Sequence, residues 1–325
     1  MSAGDAAPRV SVVIAAYNVE AEISAAIASA LRQTETAIEI IIVDDCSSDA
    51  TVSEVLRQAQ CDSRVKLIRM PQNQGPGAAR NAAIDVARGD WIAVLDADDE
   101  FEPRRLERLC AAGSEEGADI VSDNILLCEP GHPPVPLLNP DHWPAPRLMD
   151  AHEFVCGNRG ARHQGRVVYG FMKPVFRRAF LARERLRFPP VYFAEDYIFY
   201  LRCLVAGARW LVVPEPLYRY RVSAASLTGS YTPDQLAVVA ALEGEVLSSS
   251  AIRGDRRLYR EIRRHQAAAR RAVPWMRFVI ALRQRDYSSA AAAAFASRHD
   301  FMLLAPQVIA AFPRTCLRLA RRGGL

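Results

Sequence analysis

The fold is decided by residues 10–45, which read VSVVIAAYNVEAEISAAIASALRQTETAIEIIIVDD. Residues 10–15 are an apolar, β-branched run that predicts a strand, and residues 38–43 repeat that pattern. Residues 21–33, between them, carry apolar side chains at helical spacing, at positions 23, 26, 27, 30 and 31. A strand, a helix and a second strand in close succession predict two parallel strands joined by a helix.

The same alternation continues as far as residue 122. Helix patterns cover residues 51–60, 77–87 and 103–112, and strand patterns cover residues 65–70, 91–95 and 120–122. The sequence therefore predicts an α/β fold with a mostly parallel, Rossmann-like sheet flanked by helices. Ligands of such open sheets bind at the carboxyl ends of the strands, so the polar residues after each apolar run are candidate site residues.

Beyond residue 123 the pattern changes twice. Residues 124–190 hold ten prolines between Pro130 and Pro190, a composition typical of loops that shape or cover a site. A helix (198–205) and a strand (210–213) follow, and Arg- and Ala-rich helices without strand patterns begin at residue 233. We predict an α/β domain over residues 8–228, made of parts 8–123 and 124–228, and a helical C-terminal region over residues 229–325.

Composition and charge narrow the class of protein. A chain of 325 residues with 50% apolar and 24% charged residues can bury a large core, which excludes a disordered protein. Its seven cysteines form no close C-x-x-C pairs, so they predict reduced thiols in a cytoplasmic protein rather than structural zinc. Residues 1–150 hold 12 basic and 25 acidic side chains, whereas residues 151–325 hold 29 and 12. The basic half could attract phosphates, anionic lipid or nucleic acid.

Two acids, Asp44 and Asp45, directly follow the second strand pattern. Asp is a poor strand residue and adjacent like charges repel, so the pair needs a hydrogen-bond donor or a helix to cap. A carboxylate such as Asp44 in a crevice is suited to accept a hydrogen bond from an N–H group of a nucleobase such as uracil. Ser47, Ser48 or Asp49 could instead cap the helix that begins near residue 51.

A glycine turn, NQGPGAARN (73–81), leads into the next helix pattern. Such a turn presents backbone N–H groups to an anion. Its spacing matches neither G-x-G-x-x-G nor G-x-x-x-x-G-K-[ST], which disfavours dinucleotide-binding and P-loop proteins. Arg80 could face a diphosphate or hold nearby acids in a structural ion pair.

Three carboxylates follow the strand pattern at 91–95, in the sequence Asp96-Ala97-Asp98-Asp99. They would repel one another unless a cation is present. Divalent ions such as Mg²⁺ and Mn²⁺ take oxygen ligands and are commonly completed by substrate phosphates. The alternative is a solvated acidic turn before the helix near residue 103, which explains Asp99 or Glu100 better than Asp96.

As a set, residues 10–18, Asp44-Asp45, GAARN (77–81) and Asp96-Ala97-Asp98-Asp99 resemble a family 2 glycosyltransferase with a GT-A fold, of the bacterial polysaccharide-biosynthesis type. The resemblance covers about residues 8–225. It implies a nucleotide-diphosphate sugar donor, with a UDP-sugar expected, and a divalent metal, Mn²⁺ or Mg²⁺. It makes Asp96 and Asp98 the D-x-D motif, with Asp98 as the first choice for a direct metal ligand. The residues it assigns to nucleotide-sugar binding are Ala16, Tyr17, Asp44, Asp45, Gly77, Arg80, Asp96, Ala97 and Arg221.

The family also has an acid pair before an apolar helix, and Glu195-Asp196 in FAEDYIF (193–199) resembles it. Asp196 is then the expected base, because inverting transfer needs a carboxylate to take the proton of the acceptor hydroxyl. Without the family match, the pair could merely favour the start of a helix. Glu195, Tyr169 and Trp143 are expected on the acceptor side. Tyr218 or Tyr220 could stack on a sugar, although the segment also fits a half-buried strand.

We therefore expect an inverting glycosyltransferase whose acceptor is a hydroxyl of a glycan or lipid-linked glycan in surface polysaccharide biosynthesis. The nucleotide sugar would bind residues 8–123 and the acceptor residues 124–228. A metal-dependent nucleotidyltransferase is the alternative enzyme, but residues 15–18 lack the glycine-rich, basic loop expected after its first strand. A non-catalytic nucleotide-sugar-binding or membrane-docking protein would not need Asp196.

The basic C-terminal region leaves two interpretations open. Arg-rich helices of residues 253–271 and 317–322, the latter beside the apolar residues 301–312, could lie peripherally on the anionic inner face of the cell membrane. A solvated basic face explains the charge equally well. Nucleic acid is not an expected partner, because no recognised binding module accompanies the charge. No apolar run reaches the roughly 18 residues of a membrane span.

Overall fold

The computed structural model describes residues 7–139, 141, 143–158, 169–222, 232–252 and 254–295. The chain divides into two compact units, Met1–Ser226 and Leu227–Leu325. The predicted segments 301–312 and 317–322 lie outside the described residues, as does Arg253.

Strands and helices alternate through the first part of the first unit, as the sequence predicts. The described strands are β1 (Val10–Ala16), β2 (Ile38–Asp44), β3 (Val65–Arg69), β4 (Trp91–Val94), β5 (Glu100–Phe101), β6 (Ile120–Cys128), β7 (Val135–Pro136), β8 (Arg147–Leu148), β9 (Val175–Arg177) and β10 (Trp210–Arg221). The described helices of this unit are α1 (Ile23–Leu31), α2 (Thr51–Cys61), α3 (Pro76–Val86), α4 (Arg105–Glu115), α5 (Ala151–Asn158), α6 (Arg178–Arg183) and α7 (Glu195–Val205).

One sheet joins all ten of these strands. Its order is β3-β2-β1-β4-β9-β6-β10-β5, with β7 beside β6 and β8 beside β10. The strands from β3 to β4 pair in parallel, as does β6 with β10. β1 and β2 are buried almost throughout, because the apolar face of α1 packs on them with Ile23, Ala26, Ile27 and Ala30. β1 therefore lies within the hydrophobic core.

The expectation that residues 124–190 are irregular is only partly met. β6 runs on to Cys128, and the segment contains α5, β9 and α6. β9 and α6 are not predicted from the sequence, because three and six residues are too few for a periodic pattern. The strand predicted at 210–213 likewise continues to Arg221, with an irregularity in its register beside Pro216.

The antiparallel strand β9 matters most for the site. It lies between β4 and β6 and pairs antiparallel with both, with Val175 opposite Ala93. Because β9 runs against β4, the residues just before β9 lie at the edge of the sheet where β4 ends. The topology thus brings residues near 173 next to residues near 96.

The second unit is helical in its described part. It contains α8 (Pro233–Ser248), α9 (Arg256–Arg283) and α10 (Tyr287–Phe295). Thr232 and Gln235 form a capping box at the start of α8, and the Asp255 side chain accepts a hydrogen bond from the amide of Leu258 at the start of α9. Within the described residues, no helix has both the length and the apolar character needed to cross a membrane.

Candidate active site

Two buried cations and three carboxylates form one cluster at the end of β4. Nη2 of Arg80 lies 2.8 Å from Oδ1 of Asp96, and its Nη1 lies 2.9 Å from Oε1 of Glu195 and 3.0 Å from Oδ1 of Asp196. The ammonium of Lys173 lies 2.8 Å from Oδ2 of Asp96 and 2.6 Å from Oδ2 of Asp196. Asp96 and Asp196 are therefore each bridged by both cations, so the four residues close a ring.

Four separate elements bring these side chains together. Asp96 comes two residues after β4, and Arg80 lies on α3. Lys173 lies two residues before β9, and the acid pair occupies the first turn of α7. The residue before that turn, Ala194, has a left-handed backbone with φ of 57°. A residue with a Cβ atom rarely adopts this conformation, so the surrounding contacts hold the acid pair in place.

Asp45 stabilises the turn before α3 through hydrogen bonds. Its carboxylate accepts hydrogen bonds from the amides of Gln74 (2.8 Å) and Gly75 (2.7 Å). Gly75 has φ of 87°, a conformation that favours glycine. Gly77 packs so closely against the backbone of Pro189 that a Cβ atom at position 77 would lie 2.7 Å from the Pro189 carbonyl oxygen. The expectation that the turn offers its amides to an anion is therefore wrong for Gln74 and Gly75, which already donate to Asp45.

Mutual pairing keeps the core of the cluster charged. Burial alone would lower the pKa of Arg80 and of Lys173, but the negative charges of Asp196 and Asp96 hold both well above their usual range. Burial alone would also raise the pKa of Asp96, yet Lys173 and Arg80 hold it well below its usual range. Burial and then the charge of Asp196 raise the pKa of Glu195. Glu195 thus ionises less readily than Asp96.

The other two acids of the predicted metal motif have different surroundings. Asp98 is exposed, and no described lysine or arginine lies within ion-pair distance of it. Asp99 is buried and accepts hydrogen bonds from the Tyr218 hydroxyl (2.8 Å) and the Arg221 amide (2.8 Å). Desolvation and then the charge of Asp96 raise the pKa of Asp98, and the same two causes raise that of Asp99 well above its usual range.

Tyr218 is a structural part of this turn. Its ring is fully buried, and its hydroxyl accepts a hydrogen bond from the Asp96 amide (3.2 Å) while donating to Asp99. The expectation that Tyr218 could stack on a sugar is wrong, because no face of the ring is open to a ligand. The Arg221 side chain pairs with Glu100 at 3.1 Å.

The chemistry of the donor set fits a divalent metal at Asp98. This carboxylate is exposed and not neutralised, whereas both oxygens of Asp96 are already bound to cations. Among the residues that the structure describes, no three acidic side chains at this end of the sheet bring ligand oxygens within 4.8 Å of one another. A metal here would therefore take Asp98 and complete its coordination with oxygens from elsewhere, as phosphates do.

The residues predicted to contact a nucleobase lie at the ends of β1 and β2. Ala16 is buried and its carbonyl oxygen accepts a hydrogen bond from the Asp45 amide at 2.8 Å, whereas Tyr17 is exposed. Asp44 is buried and accepts from the Ser47 amide at 3.3 Å. Asp49 accepts from the amide of Thr51 at 3.0 Å and so supports the start of α2. Ala97, between the two acids of the D-x-D motif, is buried.

The two aromatic residues expected on the acceptor side pack against each other. The rings of Trp143 and Tyr169 meet edge to face at 6.3 Å between centroids, and both residues are buried. The Tyr169 hydroxyl donates to Glu153 at 2.8 Å, and the Arg147 guanidinium stacks 3.6 Å from the Trp143 ring centre. Their contacts are those of a packed wall rather than of an open groove.

Two structural features at or beside this cluster are not predicted from the sequence. One is Lys173, and the other is the fully buried pair of Arg105 and Asp123, in which Arg105 also donates to the carbonyl oxygen of Lys173. A signal for Lys173 is present in the composition, because it is one of two lysines beside 39 arginines. Arg105 gave no such signal, since its acidic partner lies 18 residues away in a strand.

Comparisons with known proteins place these features in context. The family model "Glycosyl transferase family 2" matches residues 11–144. The "Succinoglycan biosynthesis protein ExoO" of Rhizobium meliloti (strain 1021) is 34% identical over 309 residues, which cover 94% of this chain and 87% of that protein. The "Succinoglycan biosynthesis protein ExoU" of the same strain is 38% identical over 261 residues, which cover 78% and 75%.

Solved structures share the fold at low sequence identity. S. aureus TarS 1-349 in complex with UDP-GlcNAc matches with a TM-score of 0.62 and 17% identity, covering 90% of this chain and 92% of that chain. The mannosyltransferase PcManGT from Pyrobaculum calidifontis, in complex with GDP-Man and Mn²⁺, matches with a TM-score of 0.53 and 21% identity, covering 95% and 81%.

Replacing the shared cation tests the cluster. We expect Arg80→Met to lower the free energy of unfolding by about 3–5 kcal/mol, because it leaves the buried Glu195 without its described cation and leaves Asp96 and Asp196 with Lys173 alone. Urea unfolding followed by circular dichroism measures this change. Arg187→Met is the control, since Arg187 pairs with Asp85 at the surface and its loss should change stability by less than about 1 kcal/mol. Equal stability of the two variants would contradict the cluster's role.

Proposed function

Because the chain belongs to glycosyl transferase family 2, we propose that it moves a sugar from a UDP-sugar to a hydroxyl of a glycan or lipid-linked glycan, with inversion, in the biosynthesis of a surface polysaccharide. Two predictions made from the sequence are confirmed by the comparisons: the chain is a glycosyltransferase, and its α/β fold is of the GT-A type. Donor, acceptor, stereochemistry and residue roles are the proposal.

One observation carries the proposal. Lys173 and Arg80 both bridge Asp96, which follows β4, and Asp196, which begins α7. The acid of the D-x-D motif and the proposed base are thus held one side chain apart. A glycosyl transfer needs this proximity, because the leaving diphosphate and the attacking hydroxyl meet at the same anomeric carbon.

The donor would bind across the ends of β1, β2 and β4. We propose that Ala16, Tyr17 and Asp44 contact the base, that Asp45 and Gly77 shape the turn beside it, and that Asp98 holds the metal with the diphosphate. Such a metal, when bound, supplies positive charge to the leaving diphosphate. TarS has been solved with UDP-GlcNAc and PcManGT with GDP-Man and Mn²⁺, which supports a nucleotide-sugar donor and a divalent ion for this chain.

Asp196 would act as the base. As the acceptor oxygen attacks the anomeric carbon, its proton passes to an Asp196 oxygen and the bond to the diphosphate breaks with its electron pair. The carboxylate has room for this proton, because its two oxygens accept two hydrogen bonds from cations and a carboxylate offers about four lone-pair sites. Glu195, beside it, would contact the acceptor.

The acceptor follows from the relatives in part. ExoO and ExoU are named as succinoglycan biosynthesis proteins, which supports a growing polysaccharide as the acceptor here. Membership in a glycosyltransferase family argues against both a nucleotidyltransferase and a non-catalytic binding protein. A nucleotidyltransferase would also leave Asp196 without a task.

Donor binding is the first test. We expect UDP to bind more tightly with Mn²⁺ than without it, and Asp98→Ala to weaken the metal-dependent binding on the order of 10- to 100-fold. Calorimetric titration with UDP, GDP and CDP, each with and without Mn²⁺, measures both effects. Asp85→Asn, a surface change, is the control. If no nucleoside diphosphate binds, the proposed donor site is refuted, and preference for GDP or CDP would refute the UDP-sugar assignment alone.

The base role has its own test. We expect Asp196→Asn to leave UDP binding unchanged and to lower turnover of a UDP-sugar by about 10²–10⁴-fold, because an amide cannot take the proton. UDP release measures turnover, and nuclear magnetic resonance of the product gives its anomeric configuration. Unchanged turnover would remove Asp196 from the mechanism, and a product with retained configuration would contradict inversion.

The basic helix α9 is the proposed membrane contact. Arg256, Arg260, Arg263, Arg270 and Arg271 are exposed, and no acidic partner is found for them among the described residues. Their spacing of three, four and seven places them on one side of the helix, and Leu258, Ile262, Ala269 and Val273 on the other side are buried. One arginine near an anionic leaflet contributes about 1 kcal/mol.

Sedimentation with lipid vesicles tests this contact. We expect binding to phosphatidylglycerol vesicles, weak binding to phosphatidylcholine, and a loss of about 3 kcal/mol of binding free energy when Arg256, Arg260 and Arg263 all become Gln. Binding should also weaken with added salt. Equal binding to both lipids, or by the triple variant, would leave α9 as a solvated basic face.

A further inference from the structure

We propose that Lys173 is a positioning residue of the transfer, which orients the Asp196 carboxylate against Asp96 and must be a lysine to do so. The inference rests on the proposed function, because it gives Asp196 its task as the base. Lys173 touches neither donor nor acceptor in this proposal, so its effect passes through the two carboxylates that it bridges.

The contacts of Lys173 fix the rotation of both acids. In Asp96 and in Asp196, Oδ1 accepts from Arg80 and Oδ2 lies beside the Lys173 ammonium. A carboxylate bound through one oxygen can still turn about its last bond, whereas one bound through both oxygens cannot. Removing Lys173 releases one oxygen of each acid and leaves three carboxylates to Arg80 alone.

Hydrogen bonds hold the backbone carbonyl groups of both Met172 and Lys173. The carbonyl oxygen of Met172 accepts a hydrogen bond from the Tyr200 hydroxyl at 2.9 Å. Tyr200 and Asp196 are four residues apart on α7, so two side chains one helical turn apart contact Met172 and Lys173. The backbone that carries Lys173 is therefore held by α7, the same helix that carries Asp196.

Arg105 provides a second backbone contact. The carbonyl oxygen of Lys173 accepts a hydrogen bond from Arg105, which is fully buried and whose Nε and Nη2 also reach the Asp123 carboxylate at 3.0 and 2.7 Å. Pro174 follows and restricts the backbone of Lys173 to extended conformations. Both anchors are buried polar contacts, which are lost only at a high free-energy cost. The segment is thus built to hold one side chain in one place.

The residue type is informative in this chain. Arginine outnumbers lysine by 39 to 2, so arginine is the usual basic residue of this chain and a buried lysine is an exception. An ammonium is compact and offers three donors in a tetrahedral arrangement, whereas a guanidinium is planar and larger. The Lys173 side chain is 7% exposed and contacts two acids from different elements, a space that suits the smaller group.

The second lysine provides a matched control. Lys66 pairs with the buried Glu39 at 2.6 Å, on β3 and β2, while its own side chain is 43% exposed. It thus makes an ion pair as short as that of Lys173 with Asp196 but is not part of the cluster. Lys66→Met should leave turnover unchanged, which separates a general loss of one lysine pair from the loss of this one.

Kinetics of three variants test the role. With UDP-GlcNAc, UDP-glucose and UDP-galactose as probes and water as the acceptor, UDP release gives kcat and KM. We expect Lys173→Met to lower kcat by about 10²-fold with KM changed by less than about threefold, because a misplaced base slows the chemical step. Lys173→Arg keeps the charge but should remain at least about tenfold below the natural protein. Full activity of either Lys173 variant would overturn the inference.

A spectroscopic measurement on the natural sequence covers the case in which Lys173→Met fails to fold. Labelling with ¹³C,¹⁵N-lysine gives two side-chain spin systems, which the Lys66→Met variant assigns. We expect the donor with Mg²⁺ to shift the Lys173 signals through Asp96, which the proposed function places beside the donor, and to leave those of Lys66 in place. Unchanged Lys173 signals in protein that binds the donor would overturn the inference.

The proposed function and the role of Lys173 can be refuted separately. If the natural protein neither binds nor turns over any of the three UDP-sugars, the proposed function fails and this inference fails with it. If the natural protein turns them over and Lys173→Met does so equally well, only the inference fails. A low kcat for Lys173→Met with normal donor binding, beside an unaffected Lys66→Met, supports both.

Discussion

The sharing of two buried cations among three carboxylates is the constraint on which the rest of the site depends. Burying any one of these charges alone would be strongly unfavourable, and pairing compensates only when the geometry satisfies most of the polar atoms. Arg80 reaches three acids and Lys173 two, so no described member of the cluster lacks an opposite charge. The positions of α3, β9 and α7 are therefore coupled, because displacing any of them would leave a charge unpaired.

The sheet topology explains how residues so far apart in sequence form one cluster. Parallel strands alone would collect side chains only from the loops after β1, β2 and β4. The antiparallel strand β9 adds a chain segment that arrives at the same edge from the opposite direction, and Lys173 is on it. α7 then contacts that segment twice, through Asp196 and Tyr200. One reversed strand thus brings Lys173 to the edge of the sheet where the parallel strands end, beside the acid pair of α7.

Sequence reading recovered what is local and periodic. The strands and helices up to residue 122, the acids after β2 and β4 and the acid pair before α7 follow from patterns within about a dozen residues. It could not recover β9, which has three residues, or the partners of Arg80, which lie 16, 115 and 116 residues away. The sequence therefore leaves two partners open for Arg80, a diphosphate or nearby acids, because it shows which residues are charged but not which of them are in contact.

The three aspartates after β4 differ in role because their surroundings differ, as chemically identical groups do in many sites. Asp96 is drawn inward by Arg80 and Lys173 and stays ionised. Asp99 is drawn inward on the other side, where Tyr218 and the Arg221 amide bind it within a buried turn. Asp98 remains exposed, and no described lysine or arginine forms an ion pair with it. Asp96 and Asp99 cannot rotate to meet a metal without breaking buried contacts, so Asp98 is the one acid of this turn that is available to the proposed ion.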